Sequence, residues 1–166
     1  MTVVIVLGSR GRDIRNKRQT MNLLDPISKI MRTELVTIGV EDPLIKVHDI
    51  FDEHKIHHLP VVDAGKLVGI LSKSDFLFFQ KGFATDERDQ EVEKFRLKSH
   101  KVKEIMTTGL AKMEPDERVN VALEIFKENM FHAIPIVEDD RIVGIVTTFD
   151  IIQHLANDSE VSANYE

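Results

Sequence analysis

The sequence contains the same segment twice, at a constant spacing of 75 residues. When the 166-residue chain is aligned with itself at this spacing, identical residues recur without a gap. Chance matches between Ile and Val would not also bring rarer residue types into one register. The matched pairs of rarer types are His57 and His132, Pro60 and Pro135, Gly69 and Gly144, and Asp75 and Asp150. A tandem duplication therefore organises the chain, and the fold must consist of two similar units.

Each copy has a pattern that predicts the order strand, helix, strand, strand, helix. An extended run, "ELVTI" or "GLAKM", comes before a helix signal, which is Asp42 as N-cap with Pro43 in the first copy and Pro115-Asp116 in the second. Two apolar runs joined by the tight turns "DAGK" and "EDDR" predict a hairpin. A second helix is expected to begin near Lys73 or Thr148.

This pattern predicts an α/β fold made of tandem β-α-β-β-α repeats. A sheet of three short strands is too small to be stable alone, so we expect the two copies to bury their faces against each other. The expected segments are an N-terminal arm at 1–21, repeat one at 22–80, a connecting helix at 81–99, repeat two at 100–158 and a tail at 159–166.

Composition excludes several classes of function. The formal charge is −6 and the basic residues form no long cationic stripe, so nucleic-acid binding lacks its electrostatic signature. The absence of cysteine rules out disulfides, thiolate metal sites and cysteine nucleophiles. The apolar run at 3–7 is too short to cross a bilayer. We therefore expect a cytoplasmic protein with neither a nucleic-acid nor a membrane partner.

The repeated heptads "GILSKSD" and "GIVTTFD" carry the strongest chemical signal. Ser72 with Asp75, and Thr147 with Asp150, have the spacing of helix capping boxes. The same residues bring a hydroxyl and a carboxylate to the start of a helix, where phosphate binds well. A carboxylate also accepts two hydrogen bonds from a ribose diol. A nucleotide would satisfy all of these groups, so capping and nucleotide binding both remain open.

With "HHLPVV" and "HAIPIV", the two heptads resemble the paired cystathionine beta-synthase (CBS) domains of the regulatory Bateman module. The resemblance covers residues 26–80 and 100–157. It implies two repeats related by a pseudo-twofold axis, with two clefts between them. The ligands that it implies are AMP, ADP, ATP or S-adenosylmethionine, and it implies no required cofactor.

The resemblance also implies which residues line each cleft. One cleft would use Asp75 for the ribose and Ser72 for phosphate, and the other would use Asp150 and Thr147. The remaining residues implied for the first cleft are His57, His58, Ile70, Thr108, Lys112 and His132. Those implied for the second are His132, Ala133, Ile145, Thr33, Thr37 and His57. His58 and Lys112 make the first cleft better suited to a negatively charged ligand, although Lys112 could instead crowd an adenine.

We therefore expect a stand-alone regulatory protein that signals through its conformation or its dimer geometry to an unidentified partner. No catalytic or metal-ligand set is identifiable. One alternative is a dimerisation module in which the heptads act only as caps. A less favoured alternative is a metal-dependent hydrolase, since His54, His57 and His58 have helical spacing. Part of the aromatic run "FLFFQKGF" at 76–83 is expected to form a homodimer contact.

Overall fold

A computed structural model of the chain describes residues 22–81, 90–129 and 131–156. The predicted N-terminal arm and C-terminal tail lie outside these residues, as does the first part of the connecting segment. The elements of the first half are β1 (Ile38–Gly39), α1 (Leu44–Glu53), β2 (His58–Asp63), β3 (Lys66–Ser72), α2 (Lys73–Lys81) and α3 (Gln90–Ser99). Those of the second half are α4 (Val119–Asn129), β4 (Ala133–Glu138), β5 (Arg141–Thr147) and α5 (Thr148–Ala156). This order confirms the predicted α/β fold with its repeated elements.

The described chain divides into two compact units that cut across the sequence repeats. One unit consists of residues 36–110, and the other combines residues 22–35 with residues 111–156. Each unit therefore includes the opening segment of the other repeat. Residues 22–35 open repeat one but belong to the second unit, and residues 100–110 open repeat two but belong to the first. We call these two stretches the exchanged segments.

The first unit is built on a three-stranded sheet in the order β1-β2-β3. β1 pairs with β2 in parallel, and β2 pairs with β3 as an antiparallel hairpin. Helix α1 buries Leu44, Val47 and Phe51. Helical spacing predicts that Ile50 shares this stripe, and it is half-buried. Their core also takes in Leu97 of α3, which is 3% exposed, so the predicted connecting helix is held to this unit by one buried side chain.

The second unit repeats this plan with a smaller sheet. β4 and β5 form an antiparallel hairpin with the same register as β2 and β3, including a register shift at the equivalent position. In place of a third strand there is a single parallel bridge between Met113 and Ile136. Helix α4 buries Val119, Ala122 and Phe126 against these strands.

A short 3-10 helix fastens each exchanged segment to its unit. The first, Ile27–Lys29, places Ile27 in the core of the second unit, and the second, Val102–Glu104, places Val102 in the core of the first. Both side chains are 0% exposed. They stand 75 residues apart, so the duplication repeats the anchoring residue as well as the strands and helices.

Each exchanged segment then runs along the last strand of its unit. The amide of Arg32 donates to the carbonyl of Ile145 at 2.9 Å and the amide of Ile145 donates back at 3.0 Å. Thr107 and Ile70 exchange the same pair of bonds in the first unit, at 2.8 and 3.0 Å. Gly69 permits this approach, because a Cβ there would lie 3.0 Å from the Thr107 carbonyl oxygen. This explains why each repeated heptad begins with glycine.

Both hairpins turn as the sequence predicts. The central residues of the two turns have positive φ angles, 46° and 81° at Ala64 and Gly65, and 50° and 63° at Asp139 and Asp140. Two successive positive φ angles are typical of the type I′ turn, whose twist matches that of the flanking strands. The two-residue connections therefore fix the register of each hairpin.

The first helix of each repeat begins later than predicted. Asp42 was expected to cap α1, but the helix starts at Leu44 without a side-chain cap. The Asp42 carboxylate instead accepts a hydrogen bond from the amide of Gly39 at 2.9 Å. The amide of Leu44 donates to the carbonyl of His100 at 2.9 Å, so the exchanged segment satisfies the helix end that Asp42 leaves open. In the second repeat, α4 begins at Val119 rather than at the Pro115-Asp116 pair.

Ion pairs add to this attachment in the first unit. Glu41 accepts hydrogen bonds from Lys101 at 2.6 Å and from Lys103 at 2.7 Å. These two bonds lower the pKa of Glu41 from 4.5 to about 2. A carboxylate with a lowered pKa stabilises the folded state above its unfolded pKa, so this contribution fades as the pH falls from 4.5 towards 2.

None of the helices in the described ranges combines the length and the apolar character that a membrane crossing needs.

Candidate functional site

The first heptad places its polar groups at the junction of β3 and α2. The amide of Lys73, the first residue of α2, donates to the carbonyl of His57 at 2.8 Å. The amide of Asp75 donates to Ser72 Oγ at 3.1 Å, and Ser72 Oγ donates to Asp75 Oδ2 at 2.5 Å. Asp75 is nevertheless exposed. In the described part of the chain, no hydrogen bond or ion pair reaches its other oxygen, Oδ1.

The second heptad forms the same junction between β5 and α5, with a buried carboxylate. The amide of Thr148 donates to the carbonyl of His132 at 3.2 Å. Asp150 Oδ2 accepts hydrogen bonds from the amide of Thr147 at 2.8 Å and from its hydroxyl at 2.5 Å. Asp150 Oδ1 accepts a hydrogen bond from Arg32 Nε at 2.5 Å. Only 7% of Asp150 is exposed, and both of its oxygens have partners.

Both heptads therefore act as helix caps, and both also gather polar groups at a helix N-terminus. A helix start carries partial positive charge and favours an anionic group. The two junctions share their backbone bonds and differ in the state of the carboxylate. In the first it is open to solvent, whereas in the second it is enclosed and paired with a cation.

The predicted site residues, taken together, divide equally between the two units. His58 pairs with Ser72 across the first hairpin, and Ala133 pairs with Thr147 across the second. The first unit contains Thr37, His57, His58, Ile70, Ser72, Asp75 and Thr108. The second contains Thr33, Lys112, His132, Ala133, Ile145, Thr147 and Asp150.

The exchanged segments bring two of these residues to the junctions. Thr108 follows Thr107, which is bonded to Ile70. Thr108 therefore lies in the same unit as Asp75, although in the sequence it belongs to repeat two. Thr33 follows Arg32, which is bonded to Ile145, and lies in the unit of Asp150. Both threonines are exposed.

Thr37 and Lys112 lie at the equivalent position of each unit, beside the first strand or bridge. Thr37 precedes β1 and Lys112 precedes Met113, which forms the parallel bridge. Lys112 is exposed. Each of the two was predicted to serve the cleft whose carboxylate belongs to the other unit, and this assignment stays a prediction.

Sequence reasoning missed Arg32. It is separated from Asp150 by 118 residues and lies outside both heptads. The duplication held the necessary signal, because position 32 aligns with position 107 and Arg stands in one copy where Thr stands in the other. A comparison of the two copies for unmatched charges would have identified it.

The histidines considered for a metal site do not share a helix. Helix α1 ends at Glu53, so His54 follows its last residue, and His58 belongs to β2. Among the residues that the structure describes, no group of three or more His, Asp or Glu side chains is arranged to hold a metal ion. The geometry gives the metal-dependent alternative no support.

Comparison with known proteins identifies the fold. The family model for the CBS domain matches residues 27–82 and again residues 102–157. An uncharacterized protein of Methanocaldococcus jannaschii is 30% identical over 171 residues, covering 87% of this chain and 99% of the relative. The inosine-5'-monophosphate dehydrogenase of the same organism is 26% identical over 146 residues, and the chain spans only 26% of that enzyme.

A solved structure shows the same architecture with ligands present. The CBS domain pair of protein MJ0100, in complex with 5'-methylthioadenosine and S-adenosyl-L-methionine, has a TM-score of 0.61 and 28% sequence identity. The match covers 77% of this chain and 97% of that one. The chain therefore belongs to the CBS domain family and carries two CBS domains in tandem.

Proposed function

We propose that this protein is a regulatory CBS pair that binds an adenosine-containing ligand and has no catalytic activity of its own. The candidate ligands are AMP, ADP, ATP and S-adenosylmethionine. The observation that carries the proposal is the exposed Asp75 carboxylate, held by Ser72 at the N-terminus of α2 with one oxygen open. Support also comes from the MJ0100 pair, which is 28% identical and was solved with two adenosine-containing ligands.

The chemistry of the first junction fits the shared part of these ligands. All of them contain a ribose, and Asp75 can accept hydrogen bonds from its two hydroxyls. Ser72 and the N-terminus of α2 supply the donors and the partial positive charge that a phosphate needs. S-adenosylmethionine has no phosphate, so its binding here would depend on Asp75 and not on a phosphate contact to Ser72.

Regulation requires that the ligand bind two conformations with different affinity. In this proposal the bound ligand fixes one arrangement of the two repeats, and an unidentified partner protein recognises that arrangement. A cytoplasmic location is part of the same proposal, since all four candidate ligands are common there.

We also propose that the protein forms a homodimer through the outer faces of α2 and α5. Phe78 on α2 is 81% exposed, while Phe149 and Ile152 on α5 are 60% and 61% exposed. Phe76, in contrast, is 2% exposed and belongs to the core, so the aromatic run is divided between core and surface. Sedimentation velocity should give the mass of two chains, and a mass of one chain at high protein concentration would contradict this part.

Thermal unfolding with each of the four ligands tests the proposed function. A ligand at a hundred times its dissociation constant adds about 2.7 kcal/mol of stability. That is expected to raise Tm by several degrees in a domain of this size. Replacing Asp75 with alanine should abolish the shift, because the ribose then has no carboxylate to bind.

The matched control is Asp150→Ala in the second repeat, and the quantity compared is the shift on adding ligand rather than Tm itself. Both variants lose a capping interaction, and Asp150→Ala also loses the ion pair with Arg32, so each shift is measured against the Tm of the same variant without ligand. If the wild-type protein unfolds cooperatively and none of the four ligands shifts its Tm, the proposed function is wrong. The heptads would then act as helix caps in an assembly module.

A further inference from the structure

We propose that Arg32 closes the ligand site of the second repeat, so that each chain binds a single adenosine-containing ligand at Asp75. This inference rests on the proposed function and specifies which of the two junctions binds the ligand. It follows from the different states of the two carboxylates, which the repeated heptads do not reveal by themselves.

The first step is that Asp150 has no free acceptor. Arg32 Nε donates to Oδ1, and the amide and hydroxyl of Thr147 donate to Oδ2. The side chain of Asp150 is 6% exposed, whereas that of Arg32 is 49% exposed. The half-exposed guanidinium therefore occupies Oδ1, an acceptor that a ribose hydroxyl would need.

The second step is energetic. A ribose hydroxyl is a neutral donor, so it cannot replace the positive charge that balances the enclosed Asp150. Displacing Arg32 would leave the enclosed Asp150 carboxylate, whose side chain is 6% exposed, without a counter-ion, which is unfavourable. A ligand at this junction would have to bear that cost, and a ligand at Asp75 would not.

The third step is the comparison within the chain. Thr107 occupies the position equivalent to Arg32 and makes the same pair of backbone bonds to the last strand. Its side chain is short and uncharged, and no ion pair in the described part of the chain involves Asp75. One substitution between the two copies therefore separates an open junction from a closed one.

Exchanging these two residues tests the inference. Isothermal titration with AMP, and separately with S-adenosylmethionine, should give one site per wild-type chain. Arg32→Thr should raise the stoichiometry to two, because it gives the second junction the residue of the first. Thr107→Arg should abolish binding, although Asp75 is unchanged. The double exchange should restore one site, which Asp150→Ala then removes.

Thr107 is exposed, so Thr107→Arg tests the closure even if Arg32→Thr fails to fold. Binding to the wild-type protein that survives Asp75→Ala and is lost in Asp150→Ala would overturn the closure and leave the proposed function in place. Two sites per wild-type chain would overturn it as well. If none of AMP, ADP, ATP and S-adenosylmethionine binds to any folded variant, including Arg32→Thr, the proposed function is contradicted instead.

Discussion

Replacing Ile27 with alanine is expected to destabilise the second unit by about 2–5 kcal/mol and to leave the first unit nearly unchanged. Ile27 is 0% exposed and packs in one core with Met113, Val119 and Val146. The lost stability has two parts: the burial of the removed methyl groups, and the cost of the cavity that they leave. The cavity remains because close-packed surroundings collapse only partly. Amide hydrogen exchange should therefore accelerate in α4 and β5 while α1 and β3 keep their protection.

Val102→Ala is the matched control for this experiment, since Val102 anchors the equivalent 3-10 helix in the first unit. It should accelerate exchange in α1 and β3 instead, with a smaller loss because fewer methyl groups are removed. If Ile27→Ala loosened the first unit, residues 22–35 would not belong to the second core. The assignment of the exchanged segments would then be wrong.

Replacing Gly144 with valine is expected to lower the free energy of unfolding by about 1–3 kcal/mol. A Cβ at this position would collide with the Sδ of Met31 and lie 3.3 Å from the carbonyl oxygen of Arg32. The methionine side chain can move, but the backbone of Arg32 is bonded to Ile145 and can yield only by giving up those bonds. The same displacement would withdraw Arg32 from Asp150.

Urea unfolding of Gly144→Ala, Met31→Ala and the double variant measures this contact. Met31→Ala removes the closest atom, so the two substitutions together should cost less than the sum of their separate effects. Gly69→Val provides the counterpart in the first unit, where the Cβ would meet Met106 Sδ at 2.7 Å. A Gly144→Val protein as stable as the wild type would show that the exchanged segment does not lie against β5 this closely.

Most elements of the fold could be predicted from the sequence, because the duplication shows the pattern of each one twice. The hairpins, their tight turns and the junctions at Ser72-Asp75 and Thr147-Asp150 depend on residues close together in the chain. Such local patterns appear directly in the sequence. Seeing them twice in one register also removed most alternatives for where each strand and helix lies.

Most of the unpredicted features depend on partners distant in sequence. Nothing local indicates that residues 22–35 join the second unit, because Ile27 would look equally suitable for either core. The start of α1 was misplaced since Asp42 bonds to Gly39 and the helix end is satisfied by His100. The state of Asp150 was missed because its partner lies 118 residues away.

Hydrogen exchange of the wild-type protein, with and without saturating AMP or S-adenosylmethionine, tests the central claim most directly. We predict slower exchange with at least one of them at the amides of residues 72–75 and of 107–108, since residues 72–75 hold Asp75 and Thr107 is bonded to Ile70 just before them. The amides of residues 147–150 should exchange at the same rate as without ligand. Protection confined to residues 147–150, or no change with either compound, would contradict a single ligand site at Asp75.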